Sequence, residues 1–329
     1  MSKPYCGRAF QHLELSHSQV EQACRQHFQN KGSLQNFKIL SGGAVNTTYK
    51  ICWNDEWYVL RFYIRDENLV STEKQIYQLI QGKVPVPEML FASSENEAYP
   101  FAIFRFCKKP HICDANEEYS HKLSYDLGRA LAKIHGHSFQ EAGLFRRDLS
   151  MDVVFEKGSS PYLEYCLDHL IPGSNAWMRL GDAKAKQIVH FIEEHREYFP
   201  VIRDGGCLVH SDFKPVNLLW SEEEGLSVLD WEFAHSGDGT MDFGILLRHF
   251  QDFPLSNPHL ENGYQENGGN LPSDWIQRAR ITDFINIVQL LNVSSERPKL
   301  FNSLIQSLEF TIMHWQELPV VVEESCSKR

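Results

Sequence analysis

Between Leu208 and Asp230 the chain reads LVHSDFKPVNLLWSEEEGLSVLD, which sets an Asp, a Lys and an Asn close together and ends a second strand on another Asp. This set suits phosphoryl transfer: a carboxylate to orient a nucleophilic hydroxyl, a cation for the moving phosphoryl group, and oxygen ligands for Mg²⁺. Asn217 opens the apolar run Leu218, Leu219, Trp220; the acidic SEEEG stretch reads as a turn, and Leu226–Leu229 as the return strand. In an antiparallel hairpin of that length the first residue of one strand faces the last residue of the other. Asn217 and Asp230 are therefore expected at the open end as a pair for one hard cation. Asp212 precedes them in a loop that Pro215 keeps irregular. Taken singly, Asp212 is a loop cap, Asn217 a turn residue and Asp230 a helix cap; taken together they require three independent coincidences. His210 is read as a structural brace of the loop rather than a proton carrier.

Three further features gain meaning beside this segment. SGGAVNTTYK lies between two expected strands, and Gly42 and Gly43 allow backbone conformations that bring N–H groups to phosphate oxygens. Arg61 interrupts the apolar strand YVLRFY, and Glu73 shares the inward helix face of Ile76 and Ile80. As a buried ion pair they would present a guanidinium to phosphates; an exposed edge-strand Arg with a solvated helix-cap Glu explains them equally well. In SGDGTMDFGILL, Asp242 reads as a helix N-cap whose carboxylate also accepts hydrogen bonds from the catalytic loop. Glu232 fits a place near substrate, a second metal ion or the surface.

The elements that must position these residues follow from patterning. Ser18–Phe28 has helical apolar spacing, and Phe37–Ser41, Tyr49–Trp53 and Trp57–Tyr63 form a three-stranded meander. A helix is predicted over Thr72–Gln81 with Ser71 as N-cap, followed by strands at Glu88–Phe91 and Phe101–Phe106. From Tyr119 the chain turns helical, with stripes at Leu123–Ile134 and Ile188–Tyr198, then the hairpin and a helix from Asp242. The Pro/Asn/Gly-rich stretch Phe253–Pro272 is expected as a loop, and two long helices follow at Asp274–Val293 and Pro298–Leu318. The fold class is α+β and two-lobed. An antiparallel-sheet lobe with one key helix spans residues 1–107, and a larger helical lobe carrying the hairpin spans 108–329, with a cleft where they meet.

The bulk properties bound the function. The 329 residues, 42% apolar and 23% charged, are ordinary for a globular protein. The N-terminal stretch lacks a signal peptide's apolar run, and no segment is long and apolar enough to span a bilayer. Eight scattered cysteines read as reduced, buried thiols, which points to the cytoplasm. A formal charge of −11 argues against nucleic acid or an anionic membrane as partner and mildly favours an amine substrate.

The order SGGAVN, YVLR, Glu73, HSDFKPVN, VLDWE and GDGTMDFG resembles the aminoglycoside phosphotransferase and choline-kinase-like family of the protein-kinase fold. The resemblance covers the chain from about Phe37 to its last helices. It implies ATP and Mg²⁺ as cofactors, Asp212 as the catalytic aspartate, and Asn217 and Asp230 as metal ligands. It also implies a nucleotide site made by Gly42, Gly43, Asn46, Arg61 and Glu73, with Arg105, Phe106 and Cys107 as the hinge that meets adenine. Three positions depart from the pattern. Arg61 stands where many members have Lys, as in hygromycin-kinase-like members. Lys214 stands where His is common and is similar to the phosphate-contacting Lys of Ser/Thr kinases. Ser211 stands where Gly is usual. The expected activity is transfer of a phosphoryl group to a hydroxyl of a small molecule such as an aminoglycoside, choline or homoserine. A protein kinase would need a longer segment than the twelve positions from Asp230 to Asp242. A nucleotide-binding pseudoenzyme would not need the intact Asp212, Asn217, Asp230 set.

Overall fold

The computed structural model describes residues 12–29, 31–40, 46–320 and 322; the glycine loop at Gly42 and Gly43 lies outside them. The chain packs as two compact units. The first takes in the chain up to Lys109 together with Phe145–Ser150 and Ser227–Glu232, and the second takes the remainder.

In the first unit, Ser16 and Gln19 form a capping box that starts α1 (His17–Phe28). The strands β1 (Leu34–Ile39), β2 (Thr47–Trp53), β3 (Glu56–Phe62), β4 (Met89–Ala92) and β5 (Phe101–Arg105) make one antiparallel sheet in the order β1-β2-β3-β5-β4. Val20 and Cys24 of α1 bury against Tyr49, Ile51, Leu60, Phe62 and Ile103 of this sheet. Arg61 pairs with Thr48 on one side and Ala102 on the other, so it lies on a central strand and not at an edge. Helix α2 spans Leu69–Ile80 and starts earlier than the capping signal predicts. Ser71 bonds Glu95 instead of capping, and Val70 is buried, extending the apolar face by one turn.

The second unit begins its helical part with α3 (Ser120–His135). A five-stranded sheet follows in the order β6-β9-β12-β7-β8, built from β6 (Ser138–Phe139), β7 (Gly143–Phe145), β8 (Met151–Val154), β9 (Gly206–Val209) and β12 (His235–Gly237). Helices α4 (Pro161–His169), α5 (Asn175–Leu180) and α6 (Asp182–Glu194) precede β9. The hairpin is β10 (Leu218–Ser221) paired with β11 (Gly225–Val228), turning through exposed Glu222–Glu224. Trp220 Nε1 donates to Asp126 Oδ2 of α3 at 2.9 Å, which anchors β10. Helix α7 (Thr240–Arg248) follows β12.

Two expectations fail beyond α7. The Phe253–Pro272 stretch contains a helix, α8 (Asn257–Gln265), with Pro258 in its first turn. Its Gly263 is a contact residue: a Cβ there would stand 2.2 Å from the Tyr125 carbonyl oxygen of α3, and one at Gly128 would stand 2.0 Å from that of Leu260. Glycine that signals a loop locally here allows two helices to approach closely. The predicted helix over Asp274–Val293 is two helices, α9 (Trp275–Thr282) and α10 (Phe284–Asn292), joined at Asp283; α11 (Pro298–Met313) follows. Cys24, Cys52 and Cys166 are buried free thiols, and burial pushes the Cys24 thiol up to about 12. Among the described residues no helix is long and apolar enough to cross a membrane.

Candidate active site

Within the first unit a cation is surrounded by carboxylates. Arg61, 8% exposed, reaches Glu73 Oε1 with Nη1 at 3.3 Å and Asp230 Oδ1 with Nη2 at 2.6 Å. Glu232 Oε2 stands 3.7 Å from the same Nη2 and 3.9 Å from Arg65. Burial disfavours the Arg61 charge, but Asp230, Glu73, Tyr63 and Glu232 more than offset it and hold the guanidinium protonated well above its ordinary range. A planar fork can meet two carboxylates along separate N–H vectors, which a lysine ammonium does less directionally. That is a physical reason for Arg at this position. Glu73, 1% exposed, also accepts from the Trp231 N–H at 3.1 Å and from the Tyr63 hydroxyl. The expected Arg61–Glu73 pair is therefore buried, and it extends to the Asp230 segment.

Glu232, open to three readings from sequence, keeps only 4% of its side chain exposed. Its Oε2 accepts from Asn46 Nδ2 at 2.8 Å, while Asn46 Oδ1 accepts from the Ile64 N–H at 3.3 Å. Burial and the neighbouring Asp230 raise the Glu232 carboxyl to about 7 against the pull of Arg61 and Arg65. No local motif announces the Asn46–Glu232 bond, because its partners are 186 residues apart. At the segment expected to be the hinge, the Arg105 N–H donates to the Glu88 carbonyl at 2.9 Å and its side chain also meets Glu88. The Phe106 N–H donates to the Trp57 carbonyl at 3.4 Å, and the Phe106 ring lies 3.8 Å from Lys50 Nζ. Cys107 faces Ser227 at 4.0 Å.

Within the second unit lies the loop that carries Asp212, Lys214 and Asn217. Asp212 Oδ1 meets Lys214 Nζ at 2.8 Å, and Asp212 Oδ2 accepts from Asn217 Nδ2 at 2.8 Å. That amide nitrogen also donates to the Asp212 carbonyl at 2.9 Å. The Asn217 amide is thereby oriented, with its nitrogen toward Asp212 and its oxygen directed elsewhere. His210 braces the loop as expected, its Nδ1 accepting the Asp212 N–H at 3.2 Å. Ser211, at the position where glycine is usual in the family the motifs resemble, has φ 65, and its Oγ meets His235 Nδ1 at 2.6 Å. Asp230 of the first unit likewise has a positive φ, 67. Left-handed backbone at two non-glycine residues of the motif costs about 1 kcal/mol or more each.

Asp242 is a correction in detail. Gly239, not Asp242, stands at the N-cap position of α7, and Asp242 lies within the first turn. Its carboxylate nevertheless holds the loop that precedes Asp212, accepting the His210 N–H and the Ser211 N–H at 2.8 Å each and His135 Nε2 at 3.2 Å. His135 is in turn set by the Tyr264 hydroxyl at 3.0 Å. Sequence reading missed His135 and Tyr264, since only folding brings the end of α3 and α8 to this carboxylate. Burial raises the Asp242 carboxyl, but the bonds and charge of His135 and the His210 contacts outweigh it and hold it below its ordinary value.

Asp242→Asn is expected to destabilise by about 2–4 kcal/mol at neutral pH, because two buried N–H groups lose a charged acceptor. The carboxyl is depressed in the folded state, so its contribution is full above the unfolded value and fades as pH falls through the folded one. The stability gap between wild type and Asp242→Asn should therefore close on acidification below about pH 4. Denaturant titrations over pH 3–8 check this; a constant gap contradicts it.

Comparison with known proteins bears on this geometry. No curated protein sequence matches the chain significantly. Solved structures share its fold at low identity. Aminoglycoside phosphotransferase APH(4)-Ia aligns with TM-score 0.63 and 16% identity over 94% of this chain and 99% of its own. The GDP and kanamycin complex of APH(2")-IIia aligns with TM-score 0.67 and 15% identity, over 91% and 99%. Spectinomycin phosphotransferase APH(9)-Ia, with ADP and spectinomycin, gives 0.57 and 16%, over 94% and 96%. A family model described as "Phosphotransferase enzyme family" matches residues 36–275 and takes in the loop at Asp212, the Arg61 cluster and Asp242. The chain thus has the protein-kinase-like fold of these enzymes and belongs to the phosphotransferase enzyme family.

Proposed function

We propose that this protein is an ATP- and Mg²⁺-dependent kinase that phosphorylates a hydroxyl group of a small, preferably amine-bearing molecule. The observation that carries this reading is the oriented Asp212 carboxylate, held between Lys214 and the Asn217 amide in a loop whose backbone is fixed by Asp242. Asp212 accepts the proton of the acceptor hydroxyl as its oxygen attacks the γ-phosphorus; the bond from that phosphorus to the β–γ bridging oxygen breaks and ADP leaves. Lys214 balances charge on the transferred group. Arg61, kept in place by Glu73, balances charge on the nucleotide phosphates. The transition state is loose, so positioning and electrostatics supply most of the rate.

The donor chemistry fits a hard divalent cation. The Asn217 side-chain oxygen and the Asp230 carboxylate are the oxygen donors that would hold it, and Mg²⁺ when bound neutralises phosphate charge. In the hinge, the Arg105 and Phe106 N–H groups are already paired, so the role of donor to adenine falls to the Cys107 backbone. The Gly42–Gly43 loop is assigned to the phosphates on its residue types. The formal charge of −11 supports a cationic acceptor such as an aminoglycoside or choline over an anionic metabolite.

ADP release measured across aminoglycosides, amino-alcohols and sugars, with and without Mg²⁺, tests the proposal. ATP and GTP are compared because neighbouring structures carry GDP or ADP. Mg²⁺-dependent turnover with one acceptor class is the expected result. Nucleotide binding without turnover on any acceptor would favour a pseudoenzyme.

A further inference from the structure

Away from the catalytic-type loop, the helices of the second unit bury a group of charges that do not balance. Arg280, 2% exposed, comes from the last turn of α9, and Asp283, fully buried, links α9 to α10. Arg248, at the end of α7, approaches Asp283 Oδ2 with Nε at 3.5 Å, close enough for an ion pair but without a hydrogen bond. Two guanidinium groups thus act on one carboxylate, one positive charge in excess. Arg280 spends only Nη2 on protein, donating to Ser307 Oγ at 3.0 Å and Thr311 Oγ1 at 2.7 Å on α11. Its Nε and Nη1, with Nε and Nη1 of Arg248, are buried without hydrogen-bond partners, as are Thr282 Oγ1, Asn286 Nδ2 and both carboxylate oxygens of Asp283. The nearest other charged groups do not correct the excess. His249 is held neutral-leaning by burial and pairs with the half-exposed Asp252 at 2.8 Å.

A buried guanidinium with N–H groups left unbonded and its charge incompletely balanced is an expensive arrangement in a folded protein. Native structures satisfy such donors with protein, water or an ion. Water would satisfy the donors but leave the charge; an anion does both. From the excess charge and the unpartnered N–H groups on both guanidiniums we infer that a monovalent inorganic anion, chloride under ordinary conditions, is bound at Arg248 and Arg280 as a structural component of the helical unit. The direction of the Arg280 shift agrees: burial, and then the Arg248 charge, act against Asp283 and bring its guanidinium down to about 10. The site has a structural consequence. Helix α7 carries Asp242 in its first turn and Arg248 at its end, so an anion at Arg248 and Arg280 ties the helix that holds the catalytic loop to α9 and, through Arg280, to α11.

The test uses the purified full chain exchanged into sodium gluconate and titrated with sodium chloride or bromide at constant ionic strength. Thermal unfolding should show a saturable halide-dependent rise in Tm of roughly 3–6 °C, and crystals grown in bromide should show an anomalous peak between the two guanidinium groups. Arg280→Met should abolish the halide dependence, whereas Asp283→Asn, which increases the excess charge, should strengthen it. Equal Tm in gluconate and halide, or water in place of bromide at this site, overturns the inference. So does a halide dependence that survives Arg280→Met. If either variant fails to fold, the position of bromide in the wild-type crystal decides the question alone.

Discussion

Asp212→Ala is expected to lower the rate of phosphoryl transfer by about 10²–10⁴-fold, the range over which a positioned acid or base acts, with nucleotide affinity changed little. Asp212 is mostly buried but stands at the loop surface, and the residues that hold the loop, His210 and Asp242, do not depend on its carboxylate. The fold should therefore survive the change. Two local effects accompany the loss. Lys214 loses its ion-pair partner at 2.8 Å, and the Asn217 amide loses one of its two acceptors while keeping the Asp212 carbonyl. Asn217 then turns only if that remaining bond breaks, so Asp212→Asn is the gentler companion variant and should show a similar rate loss. Single-turnover ADP formation, together with nucleotide binding measured separately, checks the assignment. Wild-type turnover in Asp212→Ala would remove Asp212 from the mechanism.

Arg61→Met should produce the largest loss of stability in the first unit, about 3–5 kcal/mol, because it leaves buried carboxylates without their shared cation. Glu73 and Glu232 are almost wholly inaccessible, and Asp230 is 28% exposed. Arg65 stands 3.9 Å from Glu232, a longer approach than Arg61 makes to any of the three carboxylates, so it replaces only part of the field there. For a chain of this size that loss corresponds to a fall in Tm of roughly 10 °C. The pair also predicts non-additivity. Adding Glu73→Gln to Arg61→Met removes one of the stranded charges and should recover part of the loss, whereas independent sites would add. Arg61→Lys keeps the charge but not the fork, and should fall between wild type and Arg61→Met in stability. Denaturant unfolding of these three variants and of Glu73→Gln alone checks the ordering; additive losses would contradict a shared charge cluster.

Much of the catalytic-type loop is legible in the chain because its parts are near neighbours. The brace from His210 to the Asp212 N–H spans two residues, the Lys214 and Asn217 contacts to Asp212 span two and five, and the hairpin turn follows from composition. The strands and the inward face of α2 are legible for a similar reason, since periods of 2 and 3.6 are written locally. Where local signals compete with packing they mislead. Ser71 looks like a cap but bonds Glu95, and Asp242 looks like a cap but serves as an acceptor within the first turn of α7. Gly263 and Pro258 look like loop residues but belong to a helix pressed against α3.

By itself the sequence determined the chemistry of this protein: the residue types and spacing of HSDFKPVN and VLDWE, the alternation that turns Arg61 inward, and the helical stripe that carries Glu73. Only the tertiary structure decided which distant groups complete them. It brings Arg61 to Asp230 across 169 residues, Asn46 to Glu232 across 186 and His135 to Asp242 across 107, and it gathers Arg248, Arg280 and Asp283 into one buried cluster. The physical reason is that a local pattern records which face of an element must be buried, whereas the partner of a buried charge is chosen by whichever other buried face packs against it.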